Sequence, residues 1–443
     1  MKKQKRAQEI SGRDPGSFVK LQIKEGQVEG ILLPSASDDI FLLKLKSGYN
    51  IGIPRHDVLS IKIEKTAKKL GEFPEIDFKA RQGQVKKLPS ISFIVTGGTI
   101  SSRLDYETGG VKWLMKPSQL FFLSPELLDV VNIKTIERPF MIASENMSHL
   151  NWQKIAGMAA KLLNEKENEG VIITHGTDTL HFTAAALSFM LRGLNKPCVL
   201  TYSQRSTDRG STDTVLNLKC ATRAALSDIA EVMLVGHATS SDNYCIAIRG
   251  TKARKMHTSR RDTFRPINDL PLAKIYGDGK LEMLQQAYNK KDASKQVNED
   301  TAFEERVALL KYYPGANPEL LEFLIDKKYK GIVIEATGLG HVATEESKLN
   351  WIPAIKRALQ QGIAVCFAPQ TLYGRLDPFV YAPGRKLEQL GVIFCEDMLP
   401  ETAYVKLGWV LGHVQNEKEV KHLMQTNIAG EINRKISEKA FLY

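Results

Sequence analysis

Two hydroxyl-bearing clusters, Thr96-Gly97-Gly98-Thr99-Ile100 and Thr174-His175-Gly176-Thr177-Asp178-Thr179, have the residue types for attack on a carbonyl carbon. A threonine hydroxyl is a weak nucleophile that needs a base or a cation beside it. Thr99 is the candidate nucleophile, because Gly97 and Gly98 permit the tight turn and close backbone approach that attack requires. Gly-rich turns also cradle phosphates, so the first cluster alone leaves both uses open. The second cluster tips the balance. Thr177 offers another hydroxyl, and Asp178 a carboxylate that could accept a proton or hold a substrate ammonium. Helix capping before Leu180 is the alternative role for these two residues.

Two further segments bear on the same chemistry. In Arg249-Gly250-Thr251-Lys252-Ala253-Arg254-Lys255-Met256-His257 four basic residues compete, with a solvated basic loop as the alternative. A partly desolvated lysine beside Asp178 could exchange protons with the Thr177 hydroxyl. Ser144 and Glu145, in Ala143-Ser144-Glu145-Asn146-Met147, have the types of a helix N-terminal cap.

Both hydroxyl clusters begin where short β-branched runs stop, Ile91 to Val95 and Val171 to Ile173, which read as buried parallel strands. They therefore sit on βα loops, and in an open α/β sheet such loops face the crevice beyond the carboxyl ends of the strands. Trp152, Ile155, Ala156, Ala159, Leu162 and Leu163 keep helical spacing, with Gly170 placed to end the turn before the next strand. A helix over Leu180 to Leu191 and a strand at Cys198 to Leu200 continue the βαβ rhythm of a doubly wound sheet. The expected architecture is α/β, with two lobes built on parallel sheets after a small all-β barrel. Short alternating strands without helices mark residues 1–64 as the barrel. A polar linker over 65–88 leads to a large lobe over 89–275, and a join over 276–304 leads to a smaller lobe over 305–443.

Length and composition bound the rest. At 443 residues the chain should form two or three domains, and 43% hydrophobic with 25% charged residues is ordinary globular usage. No apolar stretch is long enough to span a bilayer and the amino terminus lacks a signal-peptide core, so a cytoplasmic protein without membrane partners is expected. The five cysteines, Cys198, Cys220, Cys245, Cys366 and Cys395, have no paired spacing that suggests zinc or a disulfide framework. A net charge of +11 permits nucleic-acid binding, but the basic residues are interspersed with acids except near the amino terminus and over Lys65 to Lys87.

The pair Thr-Gly-Gly-Thr-Ile and Thr-His-Gly-Thr-Asp-Thr resembles the two signatures of bacterial-type L-asparaginases and glutaminases. With Lys44-Leu45-Lys46-Ser47-Gly48-Tyr49-Asn50-Ile51-Gly52, Gln204 to Arg209 and Glu396 to Tyr404, the chain resembles the D-subunit family of archaeal-type glutamyl-tRNA(Gln) amidotransferases almost end to end. The resemblance implies that Thr99 attacks the side-chain amide of glutamine, with backbone amides of the turn at Gly98 beside the developing oxyanion. It selects Lys255 among the four basic residues, since Asp262 and Phe264 follow at the family spacing, and makes Thr177, Asp178 and Lys255 a triad. It gives Ser144 and Glu145 the substrate's α-carboxylate and α-amine, and Tyr106 a place on a lid. It gives His175 no catalytic part, leaving it a structural, hydrogen-bonded histidine.

The resemblance also implies partners. Ammonia would pass to the family's E subunit, which uses ATP and Mg2+ to convert Glu-tRNA(Gln) to Gln-tRNA(Gln), within an assembly around two copies of this chain, an α2β2 heterotetramer. No cofactor is expected in this chain. Its Gly277-Asp278-Gly279-Lys280 lacks the spacing of a nucleotide phosphate loop. The enzyme class implied is a carbon–nitrogen ligase with glutamine as amido donor. A free L-asparaginase or glutaminase is the alternative within the same chemistry, and a tRNA-binding scaffold with an inactive amidase lobe the alternative outside it.

Overall fold

A computed structural model describes residues 15–35, 37–47, 49–65, 88–104, 111–113, 124–207 and 209–443. The first 14 residues, most of the basic linker and Tyr106 lie outside the described residues.

Strands β1 (Phe18–Ile23), β2 (Gly26–Leu33), β3 (Ile40–Lys44), β4 (Asn50–Pro54) and β5 (Val58–Lys65) form an antiparallel sheet in the order β4-β3-β2-β1-β5. Val19, Leu21, Phe41, Leu43 and Ile53 alternate inward, and Ile61 and Ile63 from the far edge pack on the same cluster. One face of the sheet thus carries an apolar cluster of its own.

The large lobe is built on β6 (Ser90–Val95), β7 (Asn132–Glu137), β8 (Asn168–Thr174), β9 (Cys198–Thr201), β10 (Val232–His237) and β11 (Tyr244–Arg249). A two-stranded ribbon follows, β12 (Ala253–Lys255) with β13 (Phe264–Pro266), and then β14 (Ala273–Tyr276) and β15 (Leu281–Met283). The sheet order is β15-β14-β11-β10-β9-β8-β6-β7. Helices α1 (His149–Leu163) and α2 (Leu180–Met190) cover one face and α3 (Thr214–Ala225) the other.

The all-parallel expectation for this sheet is corrected. The strands from β7 to β10 pair in parallel, but β11, β14 and β15 are antiparallel additions. Only residues 238–243 join β10 to β11, too few for a parallel crossover, which needs a dozen or more. The stretch read as a join also contains structure, since β15 closes the sheet edge and Asn298–Glu299 pairs with Leu191–Arg192. Such short, half-exposed edge strands carry little apolar period to read. Gly170 does not end a turn but lies inside β8, where a Cβ would sit 2.4 Å from the Ala225 carbonyl oxygen. It is the close approach of the α3 C-terminus that requires glycine there.

The smaller lobe has a fully parallel sheet, β16 (Val307–Lys311), β17 (Gly331–Ala336), β18 (Ala364–Pro369) and β19 (Ile393–Phe394). Helices α4 (Glu319–Asp326), α5 (Ile352–Gln360), α6 (Ala382–Leu390), α7 (Pro400–His413) and α8 (Glu417–Gln425) surround it. The lobes share a core. Ala184, Leu187 and Phe189 of α2 belong to the same apolar cluster as Val405, Leu407 and Trp409 of α7. Accordingly α2 has nine buried residues of its eleven, the pattern of a helix enclosed on every side. That burial fixes the helix that begins at the second hydroxyl cluster.

Candidate active site

Thr96 and Thr174 lie where β6 and β8 run out, and the Thr96 N–H and hydroxyl both donate to the Thr174 carbonyl, at 3.2 and 2.9 Å. Beyond them the loops meet at glycines. Gly98 has φ +80°, and a Cβ there would lie 2.4 Å from Gly176 Cα. A Cβ on Gly176 would in turn lie 2.9 Å from Ser144 Oγ. The absence of side chains at Gly98 and Gly176 therefore lets the segments bearing Thr99, Thr177 and Ser144 touch.

Thr99 opens a 3-10 turn, Thr99–Ser101, and is half-buried. The Ser101 N–H donates to the Gly98 carbonyl at 2.9 Å and the Ser102 hydroxyl to the Thr99 carbonyl at 2.7 Å, so the turn is braced from below. Thr177 is buried and Asp178 exposed on the neighbouring loop. The Lys255 ammonium, at the end of β12, donates to Thr177 Oγ1 at 2.9 Å and to Asp178 Oδ1 at 2.7 Å. The cross-strand partner of Lys255 in the ribbon is Phe264, whose ring is buried. Asp262, two residues before, accepts from Arg260 and Arg265 and holds the ribbon's turn. The arrangement can move a proton between a lysine and a hydroxyl within one hydrogen bond.

The structure gives each competing basic residue its own partner. Arg249 pairs with Glu231 at 2.7 Å and Asp269 at 3.5 Å, and Lys252 with Asp397 at 2.8 Å, both ends fully buried. Arg254 reaches Glu401 at 3.2 Å. Only Lys255 of the four meets Thr177 and Asp178. None of them belongs to a solvated loop.

The loop before α2 is braced by Ser144, whose Oγ accepts from the Asp178 and Thr179 N–H groups at 3.2 and 3.4 Å, just ahead of the first helical residue. Thr179 returns its hydroxyl to the Ser144 carbonyl at 2.7 Å. Neither Thr177 nor Asp178 is the cap; Thr179 stands at the N-cap position, without a side-chain capping bond. The helix that Ser144 and Glu145 were positioned to cap on type alone is instead started at Ser148, whose N–H donates to Asn151 Oδ1 at 2.8 Å. Glu145 stays exposed on the turn Ser144–Asn146.

His175 is fully buried, with Nδ1 2.7 Å from the Gly176 carbonyl and Nε2 2.9 Å from the Thr183 hydroxyl. Burial pushes its pKa down to about 4, against a smaller upward effect of the Gly176 carbonyl. His181, in the first turn of α2, is pushed down to about 3, first by burial and then by the Arg254 and Lys255 charges. Both imidazoles are neutral in the folded protein near neutrality. The unfolded chain takes up two protons below about pH 6.5 that the folded chain refuses until about 4 and 3, so stability is full above 6.5 and lost as pH falls. Denaturant unfolding should show these two groups removing about 3–4 kcal/mol between pH 7 and pH 5. A single His181→Gln substitution should remove about half of that slope, and a pH-independent stability over this range would refute the account.

Sequence reading missed the contacts of Glu401 with Arg254 and His181, since no local spacing joins residues 181, 254 and 401. Among the described residues no His, Cys, Asp and Glu side chains cluster to hold a metal ion, and no helix is long and apolar enough to cross a membrane.

Comparison with known proteins follows the same division of the chain. The family model for the N-terminal part of asparaginase matches residues 90–289 and that for the glutaminase/asparaginase C-terminal domain matches 306–424. The model named GatD N-terminal domain matches residues 13–63. The glutamyl-tRNA(Gln) amidotransferase D subunit of Thermococcus kodakarensis is 52% identical over 431 residues, 96% of each chain. The protein of the same name from Pyrococcus furiosus is 51% identical over 438 residues, 97% of this chain and 98% of that one. Among solved structures, the thermostable L-asparaginase of Thermococcus kodakarensis superimposes with a TM-score of 0.70 at 27% identity, covering 78% of this chain and all of that one. L-asparaginase I of Vibrio cholerae gives 0.66 at 26% identity, covering 78% of this chain and 99% of that one.

Proposed function

The chain belongs to the D-subunit family of glutamyl-tRNA(Gln) amidotransferases and has the asparaginase fold, and from that premise we propose that it is the glutamine-hydrolysing component of such an enzyme. Thr99 Oγ1 forms a bond to the side-chain amide carbon of glutamine and gives up its proton, the C–N bond breaks, and that proton, relayed through Thr177 and Lys255, leaves with the amine as ammonia. Water then cleaves the glutamyl ester, restoring the hydroxyl and releasing glutamate. Backbone amides of the turn at Gly98 and the Thr177 hydroxyl stabilise the oxyanion. The Ser144 O–H holds the α-carboxylate, with the α2 N-terminus behind it, while Asp178 and Glu145 hold the α-ammonium. Tyr106 serves as the lid residue.

The observation that carries this reading is Lys255 bonded to both Thr177 and Asp178, on the loop that Gly98 touches. The ammonia is consumed by the E subunit, which supplies the ATP and Mg2+ site and acts on Glu-tRNA(Gln) in an α2β2 cytoplasmic complex of the carbon–nitrogen ligase class. The sheet of residues 15–65 is read as a small barrel domain of 1–64, with a linker over 65–88 and amidase lobes over 89–275 and 305–443. A free L-asparaginase is the second reading, favoured by the structural likeness. The N-terminal segment matched over 13–63, which the L-asparaginase likenesses at 78% coverage do not need, weighs against it.

Ammonia release from glutamine and from asparagine should be measured with the chain alone, with its E-type partner, and with that partner plus Glu-tRNA(Gln), ATP and Mg2+. Release from glutamine that rises in the full complex is the expected result. Asparagine-preferring release by the chain alone would favour the free enzyme, and no release under any condition would make the chain a scaffold.

A further inference from the structure

We propose that Glu401, on the smaller lobe, is a positioning residue of the amidase site, clamping the two elements that carry Lys255 and Thr177 and so setting their separation. The inference rests on the function proposed above. Glu401 lies in the first turn of α7 and is buried. Its Oε2 accepts from Arg254 Nη1 at 3.3 Å and its Oε1 lies 3.2 Å from Nη2, the two-pronged pairing that fixes direction as well as distance. Arg254 immediately precedes Lys255 on β12, and successive strand side chains face opposite ways. The ribbon is thus tied to α7 from one face while Lys255 projects to Thr177 from the other.

The same carboxylate reaches the second element. Glu401 Oε1 lies 3.9 Å from Nε2 of His181, which sits in the first turn of α2, three residues beyond Asp178. His181 is buried and its Nδ1 has no hydrogen-bond partner, while its ring packs beside Phe182 and Phe264 at centroid distances of 4.8 and 6.3 Å. Burial pushes the Glu401 carboxyl up, and the Arg254 cation opposes this. Lys311 and Glu335, at the ends of β16 and β17, pair with each other at 3.2 Å and act on that carboxyl in opposite senses, Glu335 raising it and Lys311 lowering it. A desolvated carboxylate persists only with such pairing, and two lobes that pack through α2 and α7 are held in register by it. One group of the smaller lobe therefore touches neighbours of both proton-transfer residues and, among these contacts, neither residue itself.

The test compares Glu401→Gln, Arg254→Lys and the reversed pair Arg254→Glu with Glu401→Arg, each in the full complex. Glu401→Gln should lower kcat for glutamine hydrolysis by roughly tenfold or more while KM changes by less than about twofold, because Ser144 and Glu145 lie outside the contacts of the clamp and still hold the substrate. Arg254→Lys keeps the charge but loses the fork and should show the same kcat loss with little effect on the unfolding midpoint. The reversed pair should recover most of kcat. Unchanged kcat in a folded Glu401→Gln or Arg254→Lys protein overturns the clamp while leaving the glutaminase reading standing, as does a rise in KM at constant kcat. Wild-type complex that releases no ammonia from glutamine overturns both.

Discussion

Thr99→Ala is expected to reduce glutamine-dependent turnover by roughly 10³-fold or more, since in the proposed function Thr99 is the residue that forms the covalent ester. The fold should persist, because Thr99 is half-buried at a turn and the core beside it is filled by Ile100. If the partner alone activates the tRNA-linked glutamate, the variant complex should still make Gln-tRNA(Gln) when ammonium salt replaces glutamine. Retention of glutamine-dependent activity would remove Thr99 as nucleophile. Loss of the ammonium-driven reaction in an assembled complex would mean that this chain takes part in the transamidation itself.

Lys255→Met should lower amide hydrolysis by about 10²–10⁴-fold with the unfolding midpoint near that of the parent, because the group removed is a proton-transfer partner at a crevice. Lys252→Met, three residues away, should do something different. It leaves the fully buried Asp397 carboxylate without its cation, which costs about 3–5 kcal/mol of stability. Side-by-side assays and denaturant titrations of the two variants separate a catalytic from a structural lysine. Equal activity losses at equal stability would show that the ion pairs have been assigned to the wrong roles.

Much of the architecture was legible because it is written in short-range pattern. The β-branched runs that become β6 and β8, the helical spacing of Trp152 to Leu163 and the alternation of Val19 and Leu21 each answer to a local period. Glycines at the ends of strands marked the loops, and the paired signatures together with the amino-terminal segment pointed to the family to which the chain belongs. The antiparallel edge was less legible, since β14 and β15 are short and half-exposed and their membership in the sheet depends on what lies beside them. Gly170 was misread for a related reason, as its role is set by Ala225, which is distant in sequence.

The site divides along the same line. Sequence alone determined which residue types stand on two adjacent βα loops, because strand period and glycine conformational freedom act over a few residues. Residue type alone could not choose among Arg249, Lys252, Arg254 and Lys255, and family likeness was needed to favour one. Tertiary structure decided their partners, sending Lys252 to Asp397, Arg254 to Glu401 and Lys255 to Thr177 and Asp178. It also bound Ser144 to the Asp178 and Thr179 N–H groups, and put Thr179 rather than Thr177 or Asp178 at the N-cap position of α2. The physical reason is that a charge buried between lobes is assigned by whichever opposite charge the packed backbone brings within about 4 Å, and that distance is settled by the shared α2–α7 core, not by spacing along the chain.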